Sequence, residues 1–163
     1  MCHDEQFLNS WFKDLPLSLE KTSATPRYVF KSHFQTIFDD KSGYDHVKLS
    51  PYSFTFVNLE WKGWYFCYKT LPFGWKSSAY VYHTVGLAAT YHIRSLGVPC
   101  SQYTDHRHVG QLALRRDLLK SLTWSNFQLP EAAAFIVCSL LVRLGYFTSL
   151  SKSVPVPQTY AGF

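Results

Sequence analysis

Apolar residues along this chain fall into short runs whose period changes from one segment to the next. From Phe54 to Glu60 and again from Trp64 to Thr70, aromatic and β-branched residues dominate, which is the composition of strands. Lys62-Gly63 lies between the two runs, and glycine tolerates the positive φ of a tight turn, so the spacing predicts a β-hairpin. Further on, Val81, Val85, Ala88 and Leu96 follow helical spacing behind Ser77 or Ser78, either of which can cap a helix. Arg94 suits the last turn, Gly97 the stop, and Pro99 the chain beyond. A second helix opens at Pro130 and Glu131, carries the apolar run Ala132 to Leu144, and closes at Gly145 after Arg143.

The remaining pattern is weaker. Residues 1–38 read as a short helix, a loop and a strand, with Leu15-Pro16 and residues 21–26 as punctuation before an extended run from Arg27 to Phe30. Gln35 to Phe38 favours a strand. Cys100 to Thr104 and His108 to Leu112 are extended runs around Asp105-His106-Arg107, which predicts a second hairpin with an acid at its turn. Ala113 to Gln128, with Arg115, Arg116, Asp117 and Lys120, reads as a solvated helix or linker, and an extended exit follows Tyr146. Hairpins imply antiparallel pairing, so the expected class is α+β, with helices on one face of an antiparallel sheet.

Composition narrows the picture. The chain has 163 residues, 47% of them hydrophobic and 17% charged, which is enough for one core and too apolar for a disordered segment. Aromatics make up 18% and the net charge is +5, so a surface where bases stack and phosphates rest is one reading, and an aromatic-rich core is the other. Cys2, Cys67, Cys100 and Cys138 show no paired spacing and no signal segment precedes them, which favours reduced thiols and an intracellular setting. The longest apolar run falls short of the roughly 20 residues a membrane-spanning helix needs, so no membrane partner is expected.

Candidate chemistry lies in three segments. Asp39 follows the Gln35–Phe38 run and Asp105 sits at the second hairpin turn; two such acids on adjacent strands suit the binding of divalent metal, although turn acids usually serve only capping and solvation. His106 and His108 fall on one face of a strand and with Asp105 form a weak transition-metal pattern that lacks further ligands.

Taken in order, DDKSGYDHV from Asp39, the predicted hairpin, LPFGWKSSAY from Leu71, a helix, RSLGVPC from Arg94 and YTDHRHVGQ from Tyr103 resemble the reverse transcriptases of DIRS-type tyrosine-recombinase retrotransposons. The likeness runs from His3-Asp-Glu to LGYF at Leu144 and KS at Lys152. It implies a polymerase palm with partial fingers and no thumb: one truncated domain over residues 1–163, fingers-like at 1–38 and about 48–75, palm-like at 39–47 and about 76–163.

The implied reaction is nucleotidyl transfer to a primer 3′-hydroxyl on an RNA or DNA template, from deoxynucleoside triphosphates, with two Mg²⁺ ions or Mn²⁺ in their place. The resemblance makes Asp39 and Asp105 metal ligands and catalytic residues, and Lys152 the donor of a proton to pyrophosphate. It places Tyr44, Phe73 and Gly74 around the nucleotide, with Tyr44 excluding a ribose 2′-hydroxyl, and sets Lys76 on the template. Asp40, Asp45 and His46 read as polar surface. His106 stands where the family's Tyr-x-Asp-Asp turn has its second acid, so the expectation is a polymerase impaired or inactive through this residue and through truncation, missing the thumb and ribonuclease H parts that activity would need. The alternatives are a non-catalytic nucleic-acid-binding module and an unexpressed genomic relic.

Overall fold

The computed structural model describes residues 5–21, 27, 34–110, 128–149, 151 and 153. Its elements in chain order are α1 (Gln6–Trp11), β1 (Thr36–Asp39), β2 (Asn58–Trp61), β3 (Trp64–Cys67), α2 (Lys76–Ser95), β4 (Cys100–Tyr103), β5 (His106–Val109) and α3 (Gln128–Arg143). Strands β1, β5 and β4 form an antiparallel sheet in that order, and β2 pairs with β3 in a separate hairpin. The predicted α+β architecture is therefore the observed one.

Register determines which side chains share a face. Thr36, Phe38, Val109, Arg107, Cys100 and Gln102 alternate onto one side of the sheet, and Asp39, His106 and Tyr103 stand in one row on the other. The first side meets α2 and α3 across a core of Phe38, Ala89, Ile93, Val98, Cys100, Val109, Ala133, Val137 and Leu141. Burial inside it pushes the Cys100 thiol up to about 12.

Helix α2 departs from its predicted details. Its N-cap is Trp75, whereas Ser77 and Ser78 lie buried in the first turn, where Ser78 Oγ donates to the Pro72 carbonyl at 2.7 Å. The free N–H of Lys76 is instead satisfied by Asn9 Oδ1 at 2.9 Å, and Asn9 Nδ2 donates to Gly74 O at 2.7 Å, so α1 supplies the cap from a distance. The buried stripe is Tyr82, Gly86, Ala89 and Ile93, whereas Val85, Ala88 and Leu96 are exposed. Polar groups on the sheet explain this choice of face. Gln102, fully buried, accepts from Thr90 Oγ1 at 2.8 Å and donates to the His83 carbonyl at 3.3 Å. A Cβ on Gly86 would lie 2.1 Å from Gln102 Nε2, so only glycine admits that amide beneath the helix.

The second hairpin is tighter than its pattern suggests: Thr104 and Asp105 form the turn, while His106 and Arg107 already belong to β5. Helix α3 starts at Gln128, two positions before Pro130, and ends where Gly145 adopts φ +85°. The Tyr146 N–H bonds the Leu141 carbonyl at 2.9 Å and the Gly145 N–H bonds that of Val142 at 3.0 Å, a Schellman ending that turns the chain back to the sheet. There Lys41 N donates to Phe147 O and Ser149 N to Asp39 O, so residues 147–149 run along the edge of β1. The readings placed on residues 28–30 and 113–127, on Cys2 and on Lys152 lie outside the described residues. Among the described residues no helix is long and apolar enough to cross a membrane.

Candidate metal and nucleotide site

Asp39 ends β1 and faces His106 across the β1–β5 register; Asp105 occupies the β4–β5 turn. The two acids, 66 positions apart, are thus brought together as the sequence predicts, and a ligand atom from each of Asp39, Asp105 and His106 lies within 4.8 Å of the others. Backbone contacts hold the turn in place. Asp40 N donates to Asp105 O at 3.0 Å, and Gln102 Nε2 donates to Thr104 O at 2.9 Å. Thr104 adopts φ +51°, costly for a β-branched residue, and its hydroxyl is bonded both to Asp105 Oδ1 at 2.7 Å and to its neighbour's carbonyl, Tyr103 O, at 2.8 Å.

His106 sits between the acids. Its Nδ1 is 2.9 Å from Asp105 Oδ1 and its Nε2 is 3.6 Å from Asp39 Oδ1. A pair of magnesium ions requires hard oxygen donors throughout, and here an imidazole occupies the space between the carboxylates. The donor set does not fit two such ions.

Beneath this row lies a group that sequence reasoning missed. Asp40, read as surface, is buried, and its Oδ2 accepts from Tyr82 Oη at 2.5 Å and from Arg107 Nη1 at 2.5 Å. The Arg107 guanidinium, wholly buried, stacks 4.5 Å from the Tyr146 ring centre. Burial first, then the Asp40 charge, drive the Tyr82 hydroxyl well above its ordinary range, so it stays a donor. The signal available in the sequence was alternation: Arg107 is one residue from His106 and must point to the opposite, helix-covered face. Asp45 and His46 are exposed, as expected for polar surface.

Tyr44, in the 3₁₀ turn Gly43–His46, packs against both Phe73 (ring centres 4.9 Å apart) and Tyr82 (5.4 Å, edge to face). A Cβ on Gly43 would come within 2.7 Å of the Tyr82 ring, so glycine is what lets this turn sit so low. Burial, and next the Asp105 charge, raise the Tyr44 hydroxyl above its usual value. Tyr44 and Phe73 therefore meet, Phe73 largely exposed, and Gly74 follows with φ +92°. Lys76 does not join this group: its Nζ pairs with Asp14 Oδ1 at 2.8 Å, an exposed partner whose carboxyl it draws below the usual range.

Neither a family model nor a curated protein matches the sequence. Solved structures do. The foamy viral protease-reverse transcriptase in complex with double-stranded DNA superposes with a TM-score of 0.73 at 17% identity, covering 98% of this chain and 30% of that one. The same enzyme with an RNA/DNA hybrid gives 0.69 at 17% identity, over 98% of this chain and 20% of that one. The native prototype foamy virus protein gives 0.66 at 19% identity, over 93% and 18%. This chain thus spans less than a third of those proteins. With its mixed helices and antiparallel sheet, it has a reverse-transcriptase-like fold of the palm type.

Proposed function

We propose that this chain is the reverse-transcriptase-like domain of a DIRS-type retrotransposon, a palm with adjoining fingers segments that binds a primer on an RNA or DNA template together with a deoxynucleoside triphosphate. The observation that carries the proposal is the convergence of Asp39 and Asp105, taken together with the packing of Tyr44 on Phe73. In this reading Tyr44 backs the sugar, where a rigid ring rejects a 2′-hydroxyl. Phe73 and Gly74 line the base side, Lys76 leaves Asp14 for a template phosphate, and Lys152 protonates pyrophosphate. Residues 1–38 and about 48–75 serve as fingers, and the domain acts inside the cell. His106 removes an oxygen donor, so nucleotidyl transfer is weak or lost relative to the ancestral reaction.

Primer extension on an RNA template tests this with the original chain, His106→Asp and Asp39→Ala. The expected result is extension by His106→Asp that exceeds the original chain's by at least about a hundredfold, since misplacing one metal costs several kcal/mol. No extension from any folded variant would overturn the catalytic part.

A second reading has its own observation. On the β2–β3 hairpin, Trp61, Trp64, Tyr65 and Phe66 are all more than half exposed, and Lys62 lies 5.9 Å from the Trp61 ring centre. Exposed rings beside a cation suit base stacking, as a non-catalytic nucleic-acid-binding module would use them. That module would bind single strands in a salt-dependent way indifferent to Asp39→Ala.

A further inference from the structure

We infer that Asp39, His106 and Asp105 form a single-ion site selective for a borderline transition-metal dication, of the Zn²⁺ or Mn²⁺ class, over Mg²⁺. The inference shares its side chains with the reading above but requires no catalysis, so binding and primer extension succeed or fail separately.

The argument starts from ligand geometry. Zinc bonds to imidazole nitrogen and carboxylate oxygen at about 2.0–2.2 Å, so tetrahedral neighbours around it lie about 3.3 Å apart. His106 Nε2 and Asp39 Oδ1 are 3.6 Å apart, within a small side-chain adjustment of that edge. The imidazole is already oriented for it. Its other nitrogen, Nδ1, is 2.9 Å from Asp105 Oδ1, so a proton held there leaves the Nε2 lone pair toward Asp39. A carboxylate bonded to the far nitrogen of a liganding histidine is how protein zinc sites fix the ring. Asp105 Oδ1 therefore has the orienting role, while His106 Nε2 and Asp39 Oδ1 face the ion. His108, the partner suggested by spacing, is not needed: it is buried two register rows away, opposite Ile37 and Ser101. The ligand missing from the sequence pattern is Asp39, supplied by another strand.

Selectivity follows from the donors. One nitrogen and one carboxylate, with water completing the shell, favour zinc and manganese, whereas magnesium binds nitrogen poorly and gives up water reluctantly. The site is half-open: the His106 side chain is 44% exposed, Asp105 42% and Asp39 18%, leaving room for water or a phosphate oxygen on the ion.

Equilibrium dialysis of the whole chain against Zn²⁺, Mn²⁺ and Mg²⁺, joined to the visible spectrum of the Co²⁺-loaded protein, tests the inference. The expected result is one equivalent of Zn²⁺, Mn²⁺ bound more weakly, Mg²⁺ at least about tenfold weaker than Mn²⁺, and a cobalt band of low-coordinate nitrogen–oxygen type. His106→Ala should weaken Zn²⁺ by at least about tenfold, and His106→Asp should invert the preference toward Mg²⁺. His106 is solvent-accessible, and circular dichroism verifies folding; Asp39→Asn provides a further variant should either unfold. Zn²⁺ binding unchanged in these variants would place the ion on other histidines or cysteines and overturn the inference. So would equal affinity for Mg²⁺ and Mn²⁺, or no binding at all.

Discussion

The two sheets of this molecule are built on opposite plans. In the β1–β5–β4 sheet the central strand carries Arg107, wholly buried, paired with Asp40, which also binds Tyr82, and stacked on Tyr146, three partners from three other places in the chain. In the β2–β3 hairpin every residue but one is exposed, and the pairing is local, Asn58 to Cys67 through Trp61 to Trp64. The first region is enclosed: its charged pair is shut away from water and held by partners distant in sequence. The second is held by cross-strand contacts and by a stem where Leu49 N bonds Lys69 O and Leu71 N bonds Val47 O. A precise site belongs on the first plan and an adaptable stacking surface on the second.

The sharpest way to break the contrast is Arg107→Ala. It strands the Asp40 carboxylate inside the fold and should cost about 3–5 kcal/mol in urea unfolding. Replacing both partners by apolar residues, Arg107→Met with Asp40→Leu, should recover most of that loss. Recovery failing, with the single variant harmless, would show that the pair does not organise the sheet.

Next in size is Gly86→Ala, which drives a Cβ into the Gln102 amide and should cost about 1–3 kcal/mol, even though alanine gains about 1 kcal/mol in helix propensity. In the hairpin, Gly63→Ala meets no atom within 4 Å, so only its φ of +77° opposes the change, at about 1–2 kcal/mol. Denaturant midpoints for the two variants separate a packing cost from a backbone cost.

A smaller effect depends on pH. Burial first lowers the affinity of His83 for a proton, the nearby Arg107 adds to this, and Glu20 with the Ser18 backbone oppose it. Below its ordinary value of 6.5 the unfolded chain takes up a proton that the folded one resists, so stability falls as the pH drops. His83→Gln should flatten that slope in unfolding curves taken from neutral to mildly acidic pH.

The smallest effect on stability is expected from Trp64→Ala, within about 0.5 kcal/mol, because the ring is 72% exposed. Its effect on single-stranded RNA binding should be larger, about 1–3 kcal/mol for each base stacked on it. Fluorescence anisotropy reads the second and thermal unfolding the first. A large loss of stability with unchanged binding would reverse the assignment of the hairpin as a surface.

Legibility in the sequence followed the range of the forces involved. The hairpin at Lys62-Gly63, the stop of α2 at Gly97 and that of α3 at Gly145 were readable because a positive φ is a local demand that glycine meets. The buried face of α2 was misread because its apolar residues, Val85 and Leu96, face water, while Tyr82, Gly86 and Thr90 turn inward to meet Gln102 and Asp40. Hydrophobic periodicity cannot register a face chosen by hydrogen bonds. Asp40 was taken for surface for the same reason: a charge beside a turn is normally solvated, and Arg107 from β5 with Tyr82 from α2 makes its burial tolerable.

By itself, then, the sequence determined the α+β class, the two hairpins and the long helices, and it marked Asp39, Asp105, Tyr44 and Phe73 as residues that belong together. Each of these rests on local conformational preference or on an ordered set of motifs. Tertiary structure alone decided that His106 stands between the two acids with one nitrogen toward each, that Asn9 caps α2, and that an Arg107–Asp40 pair underlies the site. Those depend on strand register and on desolvation, where the energy of a polar group is set by which distant partner reaches it once water is excluded.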